Sequence, residues 1–157
     1  MTDNAAVVAA LYAALSRRDG DAMAACYAPD ATFSDPVFPD LKGAEVGAMW
    51  RMLCGRATDI RVETSDIRAD EVSGTAHVEA WYPFSATGRR VHNIIDASFA
   101  FRNGLIIRHT DRFDLHRWAR QALGPAGWLL GWTPPMQAAI RRNAATALAR
   151  SQGRAAS

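Results

Sequence analysis

A chain of 157 residues with 49% hydrophobic residues, 22% charged residues and a formal net charge of +2 has the make-up of one globular domain, which excludes a disordered or fibrous protein. No run of about eighteen apolar residues occurs, and the opening Met1-Thr2-Asp3-Asn4 has neither a basic start nor an apolar stretch, so no membrane partner and no export are expected and the location is taken as cytoplasmic. Residues 1–50 hold seven acids against three bases, whereas 115–157 hold six arginines and no acid; these arginines fall in an Ala-rich helical pattern, which favours a solvated helix face over nucleic-acid binding.

Val7, Val8, Leu11, Tyr12 and Leu15 repeat at the spacing of an amphipathic helix that starts at Thr2 or Asn4 and stops near Asp19-Gly20. Asp21 then caps a shorter helix with Met23, Cys26 and Tyr27 on one side. Residues 31–34 read as extended, and Asp35-Pro36 forces a turn. A third helix is predicted over 44–54, its buried stripe Val46, Met49, Trp50 and Leu53, with Gly55 as the stop. Cys26 and Cys54 show no CxxC or Cys/His spacing and read as reduced thiols; no metal site is expected.

From Thr58 the period changes to two, and four strand runs follow, separated by Val72-Ser73-Gly74, Ala86-Thr87-Gly88 and Asn103-Gly104, which reads as an antiparallel meander. In the first run the apolar phase of Ile60 and Val62 slips to Ile67, so a bulge should bend the sheet. One face of the second run holds Ala76, Val78, Ala80, Tyr82 and Phe84; the other holds His77, Glu79 and Trp81. The third run aligns Asn93, Ile95, Ala97, Phe99 and Phe101, and the fourth aligns Ile107, His109, Asp111 and Phe113. Helices before a bent sheet give an α+β domain with helices on one sheet face. After His116 a short helix carrying Trp118 and Ala122 ends at Gly124-Pro125. The apolar segment from Trp128 to Met136 reads as an end-cap or a lid. Pro134-Pro135 opens a last helix to about Ser151, and Gly153 onward should fray. The division is therefore 1–116, one domain, and 117–157, a helical extension packing on it.

The order of these elements, together with Tyr27-Ala-Pro-Asp-Ala-Thr-Phe-Ser-Asp-Pro36, resembles the nuclear transport factor 2-like superfamily, which includes ketosteroid isomerases, SnoaL-like polyketide cyclases and limonene epoxide hydrolases. The resemblance spans residues 4 to about 114. More narrowly, it looks like SnoaL-like bacterial proteins carrying His-x-Asp-x-Phe-Asp followed by Trp. It implies a cone-shaped α+β barrel wrapped around three N-terminal helices, an apolar pocket for a small molecule at the wide end, no cofactor, and a homodimer through the outer sheet face.

Asp35 matches the isomerase base position in Thr32-Phe-Ser-Asp-Pro-Val37. The two oxyanion donors do not match: the tyrosine position falls at Leu11, with Tyr12 about 100° round the helix, and the second donor falls at Ala97, with Asp96 on the opposite strand face. Losing one such donor lowers rate by about 10² to 10³, which argues against steroid isomerisation by that mechanism. Asp111, Arg112 and Asp114 resemble the epoxide hydrolase set in composition, but strand alternation separates Asp111 from Asp114.

Asp111 in apolar company suits proton transfer near neutrality, or it orients His109, Asn93 or an arginine within a structural network. Asp35 is either the base or the side chain of an Asx turn before Pro36. His109 is an acid/base partner of Asp111 or a core histidine. Asn93 and Tyr82 are candidates for holding a ligand's polar groups, and Trp50, Phe99 and Phe113 for its apolar walls. Trp81, on the outer face, reads as a dimer contact. The sequence thus points to a small-molecule pocket protein with isomerase- or cyclase-like acid–base chemistry. A non-catalytic binding or dimerisation module and epoxide hydrolase-like water activation stand as alternatives.

Overall fold

In the computed structural model, which describes residues 3–155, α1 (Asn4–Ser16) begins where the Asp3 side chain accepts from the Ala6 amide. The cap is therefore not Asn4, and Thr2 lies outside the described residues. Asn4 turns inward and donates to the Asp70 and Glu71 carbonyls. Asp19, not Asp21, caps α2 (Gly20–Ala24), accepting from the Ala22 amide at 3.0 Å. Gly20 belongs inside this helix because the backbone of α3 comes so close that a Cβ there would lie 2.6 Å from the Arg51 Cα.

Tyr27 does not extend α2 but opens β1 (Tyr27–Ser34), which is followed by β2 (Leu41–Lys42), α3 (Ala44–Arg56), β3 (Arg61–Ala69), β4 (Ser73–Pro83), β5 (Arg90–Arg102) and β6 (Leu105–Arg112). The meander of β3 to β6 is thus enlarged to a six-stranded sheet in the order β2-β1-β6-β5-β4-β3. β1 runs parallel to β6; every other neighbouring pair is antiparallel. The cone is an open, curved sheet rather than a closed barrel: β2 and β3 remain edges, and α1 and α3 pack against the strands.

Three irregularities curve the sheet. The expected slip occurs between Ser65 and Arg68, where Asp66 takes φ +53°. A second lies between Tyr27 and Thr32, and a third between Ala100 and Phe101. The third resets the phase of β6, so Ile106, not Ile107, is the fully buried residue at its start. Asn103 and Gly104 both have positive φ, as a two-residue hairpin turn of this twist requires.

The main core fills the space between α1, α3 and the sheet. α3 also touches α2 and α6, so Met52 and Cys54 are buried as well, and Leu53 points out, 38% exposed. Both cysteines are free thiols. Beyond the sheet, α4 (Leu115–Leu123), α5 (Pro125–Leu130) and α6 (Pro134–Ala155) follow. α6 continues past Ser151 and Gly153; residues 156 and 157, part of the segment expected to fray, lie outside the described residues. A second apolar cluster joins Leu115, Trp118, Ala122 and Ile140 to Val37, Tyr82, Phe84, Val91 and Phe113. The ends of β4 and β5 and the Asp35-Pro36 turn are thereby covered by α4 and α6. Arg141 ties the arrangement by donating to the Pro36 carbonyl at 2.9 Å.

Candidate functional site

Strand register assembles the interior. Phe33 of β1 and Phe99 of β5 flank His109 of β6, while Ala97 lies opposite Asp111. His109 is fully buried, its ring 4.9 Å from Phe33, 4.4 Å from Phe99 and 6.3 Å from Trp50. Trp50 Nε1 donates to the Tyr27 hydroxyl at 2.9 Å, Tyr27 meets His109 Nδ1 at 2.7 Å, and His109 Nε2 meets Asp111 Oδ1 at 2.7 Å. An indole N–H can only donate. In the tautomer that keeps the His109 proton on Nε2, directed at Asp111, Tyr27 gives its own proton to Nδ1. The result is one polarised chain, Trp50 to Tyr27 to His109 to Asp111.

Only one Asp111 oxygen is engaged in this chain. Tyr12 is buried nearby, its hydroxyl without a partner among the described residues; burial, and secondarily the Asp111 charge, holds that phenol well above its ordinary range. Tyr27 is raised by the same two causes in the same order. Tyr12 therefore points inward despite its offset from Leu11, because α1 buries both residues. The second donor position behaves as expected: Ala97 is buried, and Asp96 faces outward against His77.

Asp35 follows β1 and is half-buried. Its Oδ1 accepts from the Val37 and Phe38 amides at 2.7 and 2.6 Å, an Asx turn. Burial nevertheless pushes its carboxyl up to about 7; the two amide bonds oppose the rise, the Asp111 charge adds to it and His109 opposes it. Tyr82 is pushed up to about 12 by burial, with the Asp35 charge adding to the rise and the hydrogen bond its oxygen accepts from Trp118 Nε1 at 3.0 Å opposing it. Asn93 is buried on the same sheet face with no hydrogen bond to its side chain among the described residues.

Asp111, His109 and Tyr82 thus each lie within electrostatic reach of Asp35, with Trp50 and Phe99 against the imidazole and Phe113 half-buried in the same capping cluster as Tyr82. Arg112 and Asp114 do not join them: both are exposed, and Asp114 caps α4. Tyr27 joins the site without any sequence signal of that role. The irregularity after Tyr27 masked its strand phase, and only the opening of the Tyr-Ala-Pro-Asp string marked it. On the outer face, Trp81 is half-buried between the Arg61 guanidinium at 4.4 Å and the His92 ring at 4.5 Å.

An α+β cone with an acid–imidazole chain in its interior defines a protein of the nuclear transport factor 2-like, ketosteroid isomerase-like class. Within that class, residues 8–109 match the SnoaL-like domain, and the chain belongs to that family. Among solved structures it is similar to an LEH-like epoxide hydrolase of Mycobacterium tuberculosis, with TM-score 0.64, 22% identity, and 82% of this chain and 94% of that one covered. A Catenulispora acidiphila protein with a ketosteroid isomerase-like fold, in complex with trimethylamine, gives TM-score 0.67, 18% identity, and 82% and 97% covered. A Xanthomonas campestris protein assigned as a polyketide cyclase gives TM-score 0.61, 27% identity, and 75% and 96% covered. No curated protein matches the chain.

Proposed function

We propose that this chain binds a small, mainly apolar, polycyclic or polyketide-like molecule at the wide end of the cone and catalyses a cofactor-free proton transfer on it. Asp35 in its ionised form takes a proton from a C–H next to a ligand carbonyl. The bonding pair moves to the carbonyl oxygen as an enolate, and the proton returns at another carbon, with Asp35 and Asp111 exchanging it. His109 is a positioning residue that orients Asp111 through Nε2. Asn93 and Tyr82 hold the ligand's polar groups; Trp50, Phe99 and Phe113 supply apolar walls. The observation that carries the reading is the Asp35 carboxyl on its turn, pushed up to about 7 chiefly by burial with the Asp111 charge adding, together with an Asp111 that has one oxygen without a hydrogen bond among the described residues. Likeness to an assigned polyketide cyclase at 27% identity supports the ligand class.

The reading includes a division into a domain at 1–116 and an extension at 117–157, and a homodimer paired through the outer sheet face at Trp81. It places the protein in the cytoplasm, which the two free thiols suit. The test is exchange of acidic C–H for C–D in an apolar polycyclic ketone incubated with the protein in heavy water. Asp35→Asn should slow exchange by about 10² to 10⁴. Exchange equal to that without protein would refute catalysis.

One observation favours the non-catalytic module: the Asp35 turn bonds to Val37 and Phe38, which alone justify an aspartate there. In that case Asp35→Asn leaves ligand affinity unchanged. Water activation of the epoxide hydrolase kind would have to use Asp35 and Asp111, because Arg112 and Asp114 are exposed.

A further inference from the structure

α5 is amphipathic in the reverse sense to an ordinary surface helix. Its contact with α4 is made by small residues: a Cβ on Gly127 would fall 1.9 Å from the Ala119 carbonyl oxygen, and one on Gly131 would fall 2.9 Å from the Ala119 Cβ. The large side chains of α5 and the following turn are left outside, Trp128 63%, Leu129 72%, Leu130 49% and Trp132 64% exposed. Four adjacent apolar side chains at this exposure form a patch that water does not favour.

Cations flank this patch on its Trp128 side. Arg89, Arg90, Arg117 and Arg120 line an open cleft of about 590 Å³ with Gln121 and Trp128. Arg120 lies over the Trp128 ring at 5.4 Å. Arg90 is paired with Asp59 at 2.9 Å, but Arg89, Arg117 and Arg120 have no carboxylate partner among the described residues. Arg89 and Arg117 are instead anchored by backbone carbonyls, of Gln121 and His92, which fixes them without neutralising them. No acid occurs from residue 115 to the end of the chain.

From this juxtaposition we infer that the α5 tip docks on the surface of an anionic phospholipid bilayer. Trp128, Leu129, Leu130 and Trp132 enter the interface between headgroups and acyl chains, and the cleft arginines hold lipid phosphates. Indole rings suit this boundary because an apolar body carries one polar N–H. Charge argues for a lipid surface over a second copy of the chain: a two-fold pairing of this patch would set Arg89, Arg117 and Arg120 against their own equivalents. The contact is peripheral, since among the described residues no helix is long and apolar enough to cross a membrane. It amends the expectation of no membrane partner and is independent of the proton-transfer reading.

The experiment is co-sedimentation of the full chain with vesicles of phosphatidylcholine alone or mixed equally with phosphatidylglycerol. Binding should be at least about tenfold tighter to the mixed vesicles and should weaken in high salt. Trp128→Ser with Trp132→Ser should reduce it by about tenfold or more. Arg89→Gln with Arg120→Gln should remove the preference for phosphatidylglycerol while circular dichroism and melting temperature stay those of the parent. Absence of binding to the mixed vesicles, or binding unchanged in both variants, overturns the inference. So does a lipid-free dimer that dissociates in the Trp128/Trp132 variant, which would assign the patch to a second copy.

Discussion

Asp35 is subject to opposing influences, and their balance decides what it can do. Two amide hydrogen bonds favour its charged form, while burial and the Asp111 charge oppose it and prevail. Its proton is therefore held more tightly in the folded chain than in the unfolded one. Between about pH 4 and 7 the folded state binds more protons, so Asp35 makes stability fall as pH rises through that window and level off above it. Asp35→Asn should remove this decline and be more stable than the parent by about 1 to 3 kcal/mol at pH 8, with no difference at pH 4; urea unfolding at the two pH values checks this. Proton-transfer activity should rise with pH through a midpoint near 7 as Asp35 ionises. Tyr27→Phe leaves the Trp50 N–H and His109 Nδ1 without their shared partner, and urea unfolding should show a loss of about 1 to 3 kcal/mol. Strand alternation made Asp111 and His109 legible in the sequence, and a short motif made Asp35 so. Tyr27 was not legible, because its partner Trp50 is 23 residues away on another element and no local pattern pairs them.

At the level of elements, periodicity located the helices and strands, while contacts from elsewhere in the chain set their ends and faces. Asp19 caps α2 because Gly20 must enter the helix to let Arg51 approach, a constraint that a scan of Asp19-Gly20-Asp21 cannot contain. Leu53 faces solvent because α3 is packed by α2, α6 and strands on different sides. The parallel pairing of β1 with β6 joins segments about 77 residues apart and therefore left no period-two signature of its own. The glycine contact between α4 and α5 makes a sharp prediction. Gly127→Ala places a methyl group against the Ala119 backbone, so α5 should detach from α4; protease cleavage near residues 125–131 should become much faster, with the sheet core still protected from hydrogen exchange.

For the whole molecule, the C-terminal segment covers one end of the open sheet. α6 runs from the capping cluster, at Ile140, to the main core, at Leu148, with Arg141 holding the turn that carries Asp35. Removal of residues 134–157 should uncover both clusters, lower stability by roughly 4 kcal/mol or more, and raise binding of an apolar fluorescent dye. The cone and its inward acids could be read from the order of elements, but the choice between lid and end-cap could not. Trp128 and Met136 look alike as apolar residues in sequence, yet one faces solvent and the other packs on the capping cluster. Whether the interior keeps a carboxyl partly protonated at neutral pH is best measured by carbon-13 NMR titration of the aspartate carboxyls, with Asp35→Asn to assign the resonance. A signal titrating near 7 that vanishes in the variant is the expected result. An Asp35 signal titrating near 4, as for an aspartate in water, would contradict a proton-transferring site.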